Sequence, residues 1–185
     1  MPTKNRFLLN GLIAIFASWL LSGFPVAQES VFAAALVDYQ ADVQSQDSVL
    51  KAFYESLTFP EGSGPDWGRF RNLFASATVP LIRTTPGAVL VTDLDGFLDN
   101  FSLRIKSGAL NSFNEEEIFR STHSFGNIAQ VFSTYRKGLN TPDPQKLVRG
   151  INSLQVVFKD GRWWIVSLMW QDESPDNPIP QKYLK

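Results

Sequence analysis

The sequence predicts one α+β domain in which three N-terminal helices pack on a curved, mainly antiparallel sheet. Two observations carry this. Apolar residues recur with a helical period between Val49 and Ile105, and from Phe113 onward the period becomes the alternation of strands. Gly126-Asn127 and Asp160-Gly161 then punctuate the second half as tight turns, so the strands pair as hairpins.

The first segment reads as an address rather than as fold. Lys4 and Arg6 precede an apolar run from Phe7 to Leu21, the length of an export h-region and short for a stable membrane span. A lipoprotein signal would need cysteine after Leu21-Ser22-Gly23, where Phe24 stands. Ordinary cleavage is therefore expected after Ala27 or within Ala33 to Ala35, with a retained N-terminal anchor as the alternative. Residues 1–33 are assigned to signal peptide and leader, with cleavage between 27 and 35, residues 45–172 to the domain, and 173–185 to an extended proline-rich tail. Export would place the protein in the periplasm or outside the cell, with no stable membrane span after cleavage.

Val31 to Gln44 has no clean period and reads as beginning with a loosely held leader. Ser45 or Asp47 can cap a helix whose apolar positions are Val49, Leu50, Phe53, Tyr54 and Leu57, a single stripe. Pro60, Gly62, Gly64 and Pro65 break the chain. Ser63 or Asp66 then caps a second helix with Trp67, Phe70, Leu73 and Phe74 on one face and Arg69 and Arg71 off it, expected in solvent. Thr78 to Arg83 reads as a short strand that Pro80 confines to a sheet edge, and Val89 to Val91 is a second short apolar run. Thr92 and Asp95 have capping-box spacing before a third helix with Leu94, Phe97, Leu98, Phe101 and Ile105 on its stripe. Asp93, Asp95 and Asp99 do not make a calcium loop, since Gly96 is misplaced and no closing glutamate follows.

Four longer antiparallel strands follow. In the first, alternation sets Glu117, Phe119, Ser121 and His123 against Ile118, Arg120, Thr122 and Ser124. Its partner, Ile128 to Tyr135, carries apolar groups on both sides. Gly150 to Phe158 and Trp163 to Gln171 are richest in large apolar residues and are expected at the centre of the sheet. Tyr183 and Leu184 are placed to pin the end of the tail. A sheet apolar on both faces needs two covers and the helices supply one, which predicts a homodimer.

Composition narrows the function classes. A formal charge of −1 on 185 residues gives no electrostatic case for nucleic acid. The absence of cysteine excludes disulfides, thiol nucleophiles and thiolate zinc.

The order of elements resembles the nuclear transport factor 2-like superfamily, which includes ketosteroid isomerase and the SnoaL-like cyclases. The residues that carry the resemblance run from Asp66-Trp67 to Phe74 into Ala77 to Ile82, then Phe125-Gly126-Asn127-Ile128-Ala129 with Ser133-Thr134-Tyr135. They continue through Arg149-Gly150-Ile151-Asn152-Ser153-Leu154-Gln155 and Gly161-Arg162-Trp163-Trp164-Ile165. The likeness spans about Ser45 to Asp172 and is similar to exported bacterial members of unassigned function. It implies a cone-shaped fold with a ligand site between the concave sheet and the helices.

The family's isomerase chemistry needs a carboxylate base, and no aspartate lies in the middle of a predicted strand. His123 can act as an acid or base, and Tyr54 or Tyr135 can donate to an oxyanion, but His123 has no identified carboxylate partner. No metal site, nucleophile motif, phosphate loop or cofactor is implied. A mid-strand Arg120 must find an anion, from Glu117, a neighbouring strand or a ligand. Ser133, Tyr135, Asn152 and Gln155 are polar insertions in apolar strands, read either as structural hydrogen bonding or as pocket lining. Trp163, Trp164 and Trp170 are core or dimer-face residues first. The expectation is a noncatalytic exported domain binding a small apolar or weakly anionic ligand through Arg120, Ser133, Tyr135, Asn152, Gln155, Trp170 and Tyr54. The alternatives are a SnoaL-like or isomerase-like enzyme using His123 with Tyr135 or Arg120, and a structural dimeric interaction module.

Overall fold

A computed structural model describes residues 38–185. The expected signal, its cleavage region and the start of the leader lie outside the described residues.

Helix α1 (Gln46–Leu57) starts at Ser45, whose hydroxyl accepts from the Ser48 amide while Ser48 reciprocates, a complete capping box. Its stripe of Val49, Leu50, Phe53, Tyr54 and Leu57 is buried. Helix α2 (Trp67–Asn72) is capped by Asp66, which accepts from the Arg69 amide at 2.9 Å. Helix α3 (Leu94–Lys106) is capped by Asp93, which accepts from the Gly96 amide at 2.8 Å, and not by Thr92. Thr92 ends a strand instead, and its hydroxyl donates to the Asp93 carbonyl.

The leader gains structure before α1, where a 3-10 turn at Gln40–Val43 buries Val43 completely. One expectation about the N-terminal half changes: Arg69 is not in free solvent. Its guanidinium makes two hydrogen bonds to Asp42, at 2.7 and 2.8 Å, and reaches Glu55 at 2.9 Å, tying that turn to both helices.

Six strands form one sheet in the order β2-β1-β6-β5-β4-β3, where β1 is Leu81–Thr85, β2 Ala88–Thr92, β3 Phe113–Phe125, β4 Ile128–Leu139, β5 Val148–Lys159 and β6 Arg162–Asp172. Strands β5 and β6 hold the centre, as their composition predicts. Strand β1 is internal rather than an edge, and it runs parallel to β6 while every other pair is antiparallel. The proline rule is not broken, because Pro80 precedes the first paired residue. At the β5–β6 turn, Asp160 and Gly161 both have positive φ, 54° and 78°, as a primed hairpin turn requires.

Two bulges curve the sheet. Register shifts between Glu117 and Phe119, leaving Ile118 as the extra residue, and between Ile165 and Ser167 opposite Gln155–Val156. The core lies between the concave face and the helices, with Phe70, Leu50, Leu73, Leu81, Leu154 and Ile165 fully buried.

The opposite face is partly covered from within the chain. After β6 the tail folds back, burying Ile179 and setting the Tyr183 ring 4.9 Å from Phe132. The Thr134 hydroxyl donates to the Tyr183 carbonyl at 2.7 Å, and Glu173 holds the Ile179 amide at 2.9 Å. Tyr183 thus pins the tail as expected, and the tail supplies some of the cover that was assigned to a second copy.

Candidate ligand cavity

Strand alternation decides what the concave face offers. From β4 it presents Val131, Ser133, Tyr135 and Lys137; from β5, Gly150, Asn152 and Leu154; from β6, Leu168, Trp170 and Asp172. On β3 the bulge breaks simple alternation, so Phe113, Glu115, Glu117 and Arg120 all share that face. Where helices and sheet part, a cavity of about 470 Å³ opens. One wall is aromatic: Phe97 stacks edge-on to Trp170 at 6.0 Å and lies 5.7 Å from Phe101, which meets Phe113 at 5.4 Å. The other wall carries Glu115, Lys137, Asn152 and Asp172, with Arg83 and Arg104 also lining the cavity.

A hydrogen-bond network fixes these polar groups. Lys137 and the Tyr135 hydroxyl both donate to one oxygen of Asp172, and Arg83 lies 3.5 Å from the other. Burial opposes ionisation of Asp172, but the adjacent Lys137 ammonium outweighs it and holds the carboxyl below the usual range. Glu115 is the opposite case. Desolvation lifts it to about 7, although Lys137 and a 3.1 Å hydrogen bond from the Asn152 amide favour its charged form. Asn152 also donates to the Tyr54 hydroxyl at 3.2 Å, which meets Ser133 at 2.7 Å, and Ser133 donates to Glu117. Burial raises the Tyr54 and Tyr135 phenols, so both are hydrogen-bond donors at neutral pH.

Arg120 has its anion inside the chain. The bulge at Ile118 turns Glu117 onto its face, and the guanidinium binds Glu117 at 2.9 and 3.0 Å and also reaches Asp47. It borders another cavity, of about 430 Å³, between α1 and β3, where Tyr54 and Glu115 also lie.

The structure therefore gathers Tyr54, Ser133, Tyr135, Asn152 and Trp170 around one network, with Arg120 at its end. It does not bring His123 or Gln155 to it. His123 pairs across β3–β4 with Gln130, which pairs with Gln155, and all three stand on the opposite face of the sheet. The catalytic pairing of His123 with Tyr135 or Arg120 is thereby corrected: the sheet separates them. Glu115, Lys137 and Asp172 were missed, although alternation pointed to them. Asp172 is two residues past Trp170, Lys137 two past Tyr135, and Glu115 two past Phe113. Trp163 packs against the core beside Phe158, whereas Trp164 lies under Arg162, 3.6 Å from its ring centre. Among the described residues no group of three His, Asp or Glu side chains is placed to hold a metal, and no helix is long and apolar enough to cross a membrane.

No family model and no curated protein matches the sequence. Solved structures do. An uncharacterised protein with a cystatin-like fold from Caulobacter vibrioides is similar over 70% of this chain and 88% of its own, at 14% identity and a TM-score of 0.52. An NTF-2-like protein of unknown function from Silicibacter pomeroyi covers 69% of this chain and 92% of its own, at 17% identity and a TM-score of 0.49. At such identities the likeness is one of fold alone. With its helices packed into a curved six-stranded sheet, the chain shares the α+β fold of that cystatin-like Caulobacter protein.

Proposed function

We propose that the protein binds a small, partly apolar molecule in the cone. The carrying observation is the two-sided cavity of about 470 Å³, aromatic on one wall and polar on the other, within the roughly 300–1,000 Å³ usual for small-ligand sites. The polar groups are already hydrogen-bonded and so already oriented, which limits the ordering cost of binding. Native mass spectrometry after incubation with metabolite extract tests this. A retained small molecule and a raised melting temperature are expected, both lost in Val148→Trp, which places an indole at the mouth where Val148 is surface-accessible. No retained mass and no shift would remove the proposal.

A second reading is favoured by one group. Glu115, lifted to about 7, is a proton acceptor suited to neutral pH, and the protonated Tyr54 phenol is linked to it through Asn152. An isomerase-like proton transfer would then use Glu115 rather than His123. Substitution Glu115→Gln should abolish any activity found, and His123→Ala should leave it intact; the reverse result would reject the assignment.

Export to the periplasm or beyond and self-association belong to the same proposal. The Lys4–Arg6 and Phe7–Leu21 pattern supports export, and fractionation that leaves the protein in the cytosol counts against it. Val89 and Val91, 66% and 68% exposed on β2, and Phe125 at 84% are apolar surface available to a second copy. A strict monomer by light scattering at micromolar concentration would end that part.

A further inference from the structure

Cations and anions are not balanced around the cavity. Lys137 is committed to Asp172, and Arg83 reaches that carboxylate only at 3.5 Å. Arg104, near the end of α3, makes no ion pair among the described residues, although it lines the cavity beside Phe101. Two guanidinium groups thus line a cavity with an aromatic wall, and Asp172 and Glu115 are the only lining carboxylates to offset three positive charges. The chain as a whole is slightly acidic, so this local excess runs against the average. A guanidinium that lacks an internal partner offers paired donors matched to a carboxylate.

Resting on the ligand-binding reading above, we infer that the cavity selects an amphipathic organic anion: a compact apolar body bearing one carboxylate. Arg104, assisted by Arg83, takes the carboxylate, and Phe97, Phe101 and Trp170 take the body. Asn152 and Lys137 remain tied to the internal network, so the cavity's anion preference resides in the arginines.

A matched pair of probes tests this: naphthoate, which carries the charge, and naphthamide, which has the same shape without it. Calorimetry on the full chain at neutral pH and low salt is expected to show naphthoate binding about tenfold more tightly, the scale of one partly screened charge pair. The double substitution Arg83→Gln with Arg104→Gln should erase that preference, bringing the ratio of the two affinities to about one. Both side chains are solvent-accessible, so folding is expected to survive, and a wild-type measurement keeps the test independent of the variant. The preference should shrink as salt rises from about 20 to about 500 mM, because the Debye length falls several-fold. Equal affinity for the two probes, or a preference that persists in the double variant, would overturn the anion inference while leaving ligand binding standing. Binding of neither probe would overturn both.

Discussion

Glu115 on β3 stands directly across the ladder from Lys137 on β4, yet Lys137 gives its hydrogen bond to Asp172. Desolvation therefore dominates at Glu115 and raises it from 4.5 to about 7, while Asp172 is lowered. The two carboxylates act on stability with opposite signs. A raised acid binds its proton more tightly in the folded state, so its contribution is favourable at low pH and is lost as pH rises from about 4.5 through 7. The lowered Asp172 contributes above its unfolded value of 3.8, and that contribution fades only as pH falls below it. Glu115→Gln should accordingly stabilise the protein above pH 7 by about 1–3 kcal/mol and flatten stability between pH 5 and 7. Urea unfolding across that range checks both. A variant that keeps the wild-type slope would show that another group carries it.

Lys137 is only 13% exposed and Asp172 26%, so neither solvates freely when its partner is removed. Lys137→Met should cost about 3 kcal/mol, at the lower end for breaking a buried pair because Arg83 lies near the carboxylate. Adding Asp172→Asn should return part of that loss, since the uncompensated charge is then gone. Chemical denaturation of both singles and the double closes the cycle, and strict additivity would mean the pair is not coupled.

Gly150 is needed for close approach rather than for an unusual φ. A β-carbon there would fall within contact distance of the Tyr135 hydroxyl and ring and 2.6 Å from the Gln171 carbonyl. Tyr135 is fully buried and bonded to Asp172, so it has nowhere to move. Gly150→Ala should cost more than about 3 kcal/mol, in the range of severe overpacking. Combining it with Tyr135→Phe, which removes the hydroxyl, should recover a measurable part. Thermal unfolding of the three variants decides the matter; a near-neutral Gly150→Ala would mean the strands slide apart at little cost.

Most of the fold was legible because hydrophobic period reports it directly. The stripes of α1 and α3 and the Asp160-Gly161 hairpin required only local chemistry. Two features were not local. That β1 runs parallel beside β6 depends on pairing Leu81 with Leu168, far apart in the chain, and no pattern within Leu81–Thr85 reveals the partner. The β3 bulge was equally hidden. Unbroken alternation puts Arg120 and Glu117 on opposite faces, and one extra residue at Ile118 puts them together. The site suffered at strand ends. Asp172 and Lys137 lie beyond the strand boundaries drawn at Gln171 and Tyr135, so residues in phase with the cavity fell outside the expected strands. His123 drew attention for its chemistry, and its face was decided by the same bulge.

The tail supplies the last prediction. Tyr183 contributes an aromatic contact with Phe132 and a backbone acceptor for Thr134, which is otherwise fully buried. Tyr183→Ala removes only the ring and should cost about 1–1.5 kcal/mol. Ending the chain at Pro180 removes the acceptor as well and leaves the Thr134 hydroxyl to find water, adding about 1 kcal/mol. Truncation also uncovers Phe132 and Ile151, which line the groove beneath the tail, enlarging the apolar outer face. If that face drives self-association, sedimentation should show the truncated chain associating more strongly than the full chain, even as urea unfolding at fixed low concentration shows it less stable. A truncated chain that is less stable and no more associated would confine the tail to a structural role. A truncated chain with unchanged stability would show that the tail's contacts with Phe132 and Thr134 do not hold in solution.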